Sequence, residues 1–418
     1  MNRRDFLKNT LALAAFAPLL RLHGAPAAKK SNPPLWNKLS RTRARQIVRR
    51  DLGKKGVTLP LLGYGMMRLP VKNGSIDIEE STRLVERAMN SGINYFDTAY
   101  FYHGGESETA CGKILSKYPR DTYYIASKMP VRSLRKKEDL ERIFQEQLKK
   151  CACGYFDFYL LHNLTRRNWP LVKRLKVYDF VKEKQKQGLI RFVGFSFHDT
   201  PNVLQEIANA YKWDFAQIQL NYLDWTLYKS KEQYEILTKA KIPVIVMEPL
   251  RGGALASLTP QANAHLKKSA PDKSVASWAF RFAGSCPNVV TVLSGMTQMA
   301  HLEDNISTMM TFQTLSDKER KTLNEALEIY RKAGAIACSG CEYCMPCPVG
   351  VEIPRIFSLY NHAKTSGRPW SFKGIYRSIS KENMASACIN CQACIKKCPQ
   401  KLNIPEELKK AHAFLAKS

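Results

Sequence analysis

Between residues 57 and 315, short β-branched or apolar runs alternate eight times with amphipathic stretches of helical length. No other feature of the chain constrains its fold as strongly. Repeated strand–helix units bury a parallel sheet under a layer of helices, and eight of them close a (β/α)8 TIM barrel of ~250 residues. The predicted strands lie near residues 60–65, 93–97, 122–127, 156–161, 191–196, 215–219, 243–248 and 289–293. The first intervening segment, DIEESTRLVERAMNSG, shows the helical signal: Ile78, Leu84, Val85 and Ala88 share one face and Gly92 stops it. A chain of 418 residues leaves room for a smaller module beyond the barrel. The expected fold class is therefore α/β, a barrel followed by a small α-rich domain.

In such a barrel the chemistry sits at the carboxyl ends of the strands. Here those ends are polar: Asp97 and Tyr102 follow the second strand in FDTAYFYHGGESE, Lys128 ends the third in IASK, His162 the fourth in FYLLH, and Ser196 the fifth in GFS. Reducing a carbonyl by hydride transfer makes an alkoxide that needs a proton. A phenol near pKa ~10 gives one more readily beside a cation. Tyr102 is then the acid, Lys128 its tuning cation, Asp97 the partner that holds the lysine, and His162 the hydrogen-bond donor that orients the substrate oxygen. Singly, each has a structural explanation as a cap, a core aromatic, a surface cation or a satisfied histidine. Four suitable types on three successive strand ends favour the catalytic one.

The order and spacing of these four resemble the aldo/keto reductase family over roughly residues 57–310. That resemblance implies an oxidoreductase using NADP or NAD on a small carbonyl or alcohol substrate. It implies nicotinamide contacts from Ser196, Gln219 and Met247, and a pyrophosphate loop of Glu248, Pro249, Leu250, Arg251, Gly252 and Gly253. A further phosphate site would lie at Ser294 and Gly295, before a helix expected to end near Asn305. Three departures stand out. Met247 replaces the usual ring-stacking aromatic, Phe197 and His198 follow Ser196 where Asn is common, and residues 294–305 contain no Lys or Arg to grip a 2′-phosphate. NADPH and NADH both remain open. Arg68, Trp225 and residues 163–172 suggest a polar, partly aromatic mouth, and no residue identifies the substrate.

After a predicted helix over 316–333 the composition changes to Cys338-x2-Cys341-x2-Cys344-x2-Cys347-Pro348 and, later, Cys388-x2-Cys391-x2-Cys394-x3-Cys398-Pro399. The second run has bacterial ferredoxin spacing, in which three thiolates wrap one cubane and the fourth reaches the other. This assigns Cys338, Cys341, Cys344 and Cys398 to one [4Fe-4S] cluster, and Cys388, Cys391, Cys394 and Cys347 to a second. The shorter gap before Cys347 makes its assignment the weaker one. Zinc held by four thiolates is the alternative, which repeated two-residue gaps ending in proline disfavour. Barrel and tail together resemble the iron-sulfur branch of the aldo/keto reductases. The remaining cysteines, Cys111, Cys151, Cys153 and Cys286, read as small buried hydrophobes.

Residues 1–28 carry RRDFLK, an apolar run from Leu11 to Leu20 and a small-residue Ala25-Pro26-Ala27 site. This resembles a twin-arginine signal, implying the twin-arginine translocase as an export partner and a periplasmic location. The run is about half the ~20 residues of a membrane span, so no permanent span is expected. Residues 29–56 read as a basic linker. Lys29 to Lys55 holds ten basic residues and one acid, part of a formal net charge of +29, and no nucleic-acid motif accompanies it. The domain order is then signal 1–28, linker 29–56, barrel 57–315, connecting helix 316–335 and iron-sulfur domain 336–418. Two functions fit: a nicotinamide enzyme wired through its clusters to a redox partner protein, or an exported electron-transfer or assembly module whose barrel has no turnover.

Overall fold

The computed structural model describes residues 47–53, 56–365 and 369–417. The signal expected at 1–28 and most of the expected basic linker lie outside these residues. Eight parallel strands close a barrel in sequence order: β1 (Leu62–Gly65), β2 (Tyr95–Asp97), β3 (Tyr124–Met129), β4 (Phe156–Leu164), β5 (Ile190–Phe197), β6 (Phe215–Gln219), β7 (Val244–Met247) and β8 (Val289–Ser294). Closure is through β8 and β1, with Val292 opposite Leu62 and Ser294 opposite Tyr64. Each strand falls where the sequence predicts one.

The period of two along each strand sorts these residues. Tyr95, Ala126, Phe158, Leu160, Phe215 and Ile245 form one buried cluster with Leu52 and Leu59, whereas Phe96, Ile125, Tyr159, Leu161 and Ala216 join the larger core beneath the helices. Aromatic rings fill the inward-facing layer, with the Phe158 centroid 4.9 Å from Tyr95 and 5.2 Å from Phe215. Two residues further along, the same inward alternation delivers Asp97, Lys128, His162 and Gln217. The catalytic layer therefore rests on a packed aromatic floor.

Leu52 and Leu59 come from an antiparallel hairpin of Arg49–Asp51 with Thr58–Pro60. The barrel unit thus begins inside the stretch expected to be linker: Arg49 and Arg50 are ladder residues, and Arg50 donates to the carbonyls of Cys286 and Val289 at 3.0 and 2.6 Å. The predicted first helix is Ile78–Asn90, capped by Asp77. The helix Asp317–Arg331 carries a Ser316–Glu319 capping box, and Leu323, Ala326, Leu327 and Tyr330 on it join the barrel core, so it completes the barrel rather than merely connecting domains. The helix after β8 runs Met299–Met310, which places Asn305 mid-helix instead of at its end.

The tail is a separate helical unit of Ile353–Thr365, Pro369–Arg377 and Ile404–Leu415 around its own core of Ile356, Phe357, Tyr360, Tyr376 and Leu408. Cys111, Cys151, Cys153 and Cys286 are all buried. Among the described residues no helix is long and apolar enough to cross a membrane.

Candidate active site and cysteine clusters

At the carboxyl end of the barrel, the Lys128 ammonium is buried and donates to Asp97 Oδ1 at 2.6 Å, to the Thr98 carbonyl at 2.7 Å and to Tyr102 Oη at 3.3 Å. Burial raises the Asp97 carboxyl against the pull of Lys128 and Gln217. Tyr102 departs from the sequence expectation. Burial, reinforced by Asp97 and Glu248, pushes its phenol well above the ordinary value. It holds its proton firmly instead of being drawn down by Lys128. Burial, then Lys128 and Arg132, hold His162 well below the usual histidine range, so its imidazole is neutral at pH 7. The ring stands edge-on to Tyr102, with centroids 6.1 Å apart.

These four groups open into a cavity of about 570 Å³ that is also lined by Ser196, Met247, Glu248, Pro249, Leu250, Gly252, Gly253, Ser294, Gly295 and Asn305. Its size is ordinary for a site that takes a small-molecule ligand. Asn305 Nδ2 donates to Ser294 Oγ at 3.0 Å, fixing the cavity wall that follows β8. Two expected contacts are placed elsewhere. Gln219 donates to Asp224 at 2.7 Å and pairs with Gln400, while the buried Arg251 ion-pairs with Asp224 at 3.1 Å and donates to Gln400 at 2.9 Å. Both side chains serve the junction with the tail. The glutamine that lines the cavity is Gln217, one inward position earlier on β6. Its Nε2 donates to Asp97, and its buried Oε1 has no hydrogen-bond partner among the described residues. An orphaned buried acceptor costs stability unless something donates to it, and a carboxamide N–H of nicotinamide suits it. The residues therefore fit a nicotinamide nucleotide. Trp225 is turned away, packing on Phe282 at 5.4 Å.

The tail closes this cavity, which no local feature of the sequence indicates. Ser339, Cys341, Tyr343, Pro399 and Gln400 all line it. The seam is polar: Arg68 donates to the Ser339 carbonyl at 3.1 Å, Tyr228 to the Pro399 carbonyl at 3.1 Å, and Lys401 pairs with Asp199 at 2.6 Å. Tyr343 Oη is 3.1 Å from His162 Nε2.

The thiols gather in two sets. Burial raises Cys338, Cys341 and Cys344, and Cys398 raises each of them further through its charge, so these four share one neighbourhood. Cys347, Cys388, Cys391 and Cys394 line a separate small cavity in the tail. This is the crossed grouping read from the spacing, including the weaker assignment of Cys347. Backbone amides of Gln400, Lys401 and Leu402 point at Cys398, and Gly340 N–H donates to Cys338 Sγ at 3.3 Å. Among the described residues no three His, Cys, Asp or Glu side chains close on a single ion. Two separate sets of four thiols are the donor set that a pair of cubane clusters takes.

Residues 61–328 match the aldo/keto reductase family model, and residues 337–403 match a 4Fe-4S dicluster domain. The chain belongs to the aldo/keto reductase family. It is an NAD(P)-dependent oxidoreductase with an iron-sulfur domain appended. L-galactose dehydrogenase of Arabidopsis thaliana is 23% identical over 306 residues, covering 66% of this chain and 92% of that protein. The NADH-specific methylglyoxal reductase of Escherichia coli is 26% identical over 226 residues, 49% of this chain and 68% of the relative. A solved thermostable aldo-keto reductase, Tm1743, superposes with a TM-score of 0.57 at 25% identity, covering 67% of this chain and all of its own.

Proposed function

We propose that this reductase moves a hydride between a nicotinamide nucleotide and a small carbonyl or alcohol beneath an iron-sulfur roof, exchanging electrons with a protein partner through two [4Fe-4S] clusters. The observation that carries the reading is the placement of Cys341 on the same cavity wall as Tyr102, Lys128 and His162. When bound, the nicotinamide would give its hydride to the carbonyl carbon and become NAD(P)+, and the two clusters would return one electron each, with a proton from solvent, to restore NAD(P)H; in the alcohol direction both flows reverse.

The protein's own groups do the rest. Tyr102 Oη, kept protonated by burial, gives its proton to the oxygen of a reduced carbonyl. Lys128, held by Asp97, stabilises the phenolate left behind. Neutral His162 orients that oxygen without charging it. Ser196 and Gln217 hold the nicotinamide amide, and the wall of Glu248, Pro249, Leu250, Gly252 and Gly253 with Ser294 and Gly295 faces the phosphates. Cys338, Cys341, Cys344 and Cys398 would hold the inner cluster, and Cys347, Cys388, Cys391 and Cys394 the outer. Cys391 is exposed, with Ile389 beside it 65% exposed, so the outer cluster is the one a partner protein can approach.

We further propose periplasmic export of the folded, cluster-loaded chain by the twin-arginine translocase, a reading supported by RRDFLK and by eight clustered thiols whose metal centres would have to be assembled before export. The test is anaerobic purification with iron analysis and turnover of an aldehyde panel. The reading requires about eight iron atoms per chain. It also requires a loss of turnover of at least ~10²-fold in Tyr102→Phe and Lys128→Met at unchanged fold. Zinc without colour, or unaltered turnover, would overturn it.

A further inference from the structure

Tyr343 lies between two ligands of the inner cysteine set, yet its side chain belongs to the barrel's site. Its hydroxyl is 3.1 Å from His162 Nε2, and its ring stands at 75° to the imidazole with centroids 6.4 Å apart. On its other side the Arg132 guanidinium lies 5.0 Å from the Tyr343 ring centroid and 3.9 Å from that of Phe101. The ring separates the main cavity from a small side cavity formed with Phe101, Arg132, Asn163 and Asn168. Four residues earlier, Arg68 pins the same segment at the Ser339 carbonyl. Tyr343 is thus clamped over the histidine.

A hydrogen bond to His162 Nε2 is what a carbonyl oxygen needs when it sits beside Tyr102. On the reading of Asp97, Tyr102, Lys128 and His162 as the reductase site, the tail's phenol already holds that bond. We propose that Tyr343 is a specificity-determining residue supplied by the iron-sulfur domain, whose hydroxyl any carbonyl substrate must displace from His162 and whose ring restricts the site to small substrates. The competition is in the ground state, so it raises KM and leaves the chemical step largely alone. Losing the hydroxyl should strengthen carbonyl binding by roughly three- to tenfold, the worth of one neutral hydrogen bond. Losing the ring as well should join the side cavity to the main one and admit an aromatic aldehyde.

The experiment compares the holoenzyme with Tyr343→Phe and Tyr343→Ala, with iron measured in each. Isobutyramide, a carbonyl that is not reduced, is titrated calorimetrically into NADH-saturated protein, and KM and kcat are measured for propanal and benzaldehyde. Tyr343→Phe should bind isobutyramide about three- to tenfold more tightly and lower KM for propanal by a similar factor at near-native kcat. Tyr343→Ala should gain benzaldehyde turnover. Unchanged or weaker isobutyramide binding in Tyr343→Phe at native iron content overturns the proposal. So does loss of iron from Tyr343→Phe, which would make the hydroxyl a structural element of the cluster fold. If none of the three proteins turns over any carbonyl, the reductase reading fails, while the isobutyramide titration still reports on Tyr343.

Discussion

Gly252→Ala should lift the cluster loop off the barrel without touching a thiol or a catalytic group. Gly252 sits at φ +66°, and a Cβ there would lie 1.8 Å from the Ser339 carbonyl oxygen and 2.7 Å from its carbon. Both obstacles are backbone, so no rotamer change relieves them. Alanine in the left-handed region costs about 1 kcal/mol. Pushing Ser339 back by more than an ångström breaks its bond from the charged Arg68, at a cost of about 2 kcal/mol. The left-handed cost falls on the barrel loop whether or not the tail is seated, so the docking equilibrium should lose about 2 kcal/mol, roughly thirtyfold. All eight clustered cysteines lie in the tail, so iron content should be unchanged. Hydrogen exchange followed by mass spectrometry should show faster exchange over 339–345 and 399–402, with the strands β2 to β4 unaffected. Native protection of 339–345 in a folded Gly252→Ala protein would refute the seating of the tail on this loop.

Three further outcomes follow from the same geometry. Asp304 lines the cavity in the segment where the family grips a 2′-phosphate, and Ser274 donates to it at 2.7 Å. NADH should bind at least ~3-fold more tightly than NADPH, and Asp304→Asn should narrow the gap, both read by equilibrium titration. Burial pushes His198 down to about 4 from an unfolded value of ~6.5, so the unfolded chain binds the extra proton between those limits. Stability should be full above ~6.5 and decline as pH falls toward about 4, by on the order of 1 kcal/mol near pH 5 for this half-buried residue. Denaturant midpoints for His198→Asn should show a shallower decline. Cys391→Ser should leave the precursor in the cytoplasm if export waits for cluster insertion, whereas normal periplasmic yield in fractionation would refute that coupling.

The barrel was legible because its signal is local and repeated. Each strand carries an apolar run, and its inward alternation ends on a polar residue, so Asp97, Lys128 and His162 announce themselves by position. Cysteine spacing was legible for a similar reason, since consecutive thiols on one short loop leave few ways to hold iron. Gln217 was missed because Gln217 and Gln219 are both inward-facing on β6, and the period of two cannot tell them apart. The choice is made by Asp224 and by Gln400, which is 181 residues away from Gln219. The Tyr343–His162 contact spans the same sequence distance and leaves no local trace. Tyr102 was expected to be drawn down by Lys128, but burial, a tertiary property, governs it. The start of the barrel was obscured by charge, because Arg49 and Arg50 look like linker residues until their strand pairs with Thr58–Pro60.

If the nicotinamide and the inner cluster exchange electrons across their shared cavity, NADH should reduce the clusters of the oxidised holoenzyme. Anaerobic stopped-flow mixing of the oxidised holoenzyme with NADH, followed by visible absorbance and electron paramagnetic resonance, tests it directly. Bleaching of the iron-sulfur absorbance and a reduced-cluster signal should appear in the native protein, both slowed at least tenfold in Gly252→Ala at saturating NADH and native iron content. Clusters that dithionite reduces but that NADH leaves oxidised over many turnovers of an aldehyde would contradict it.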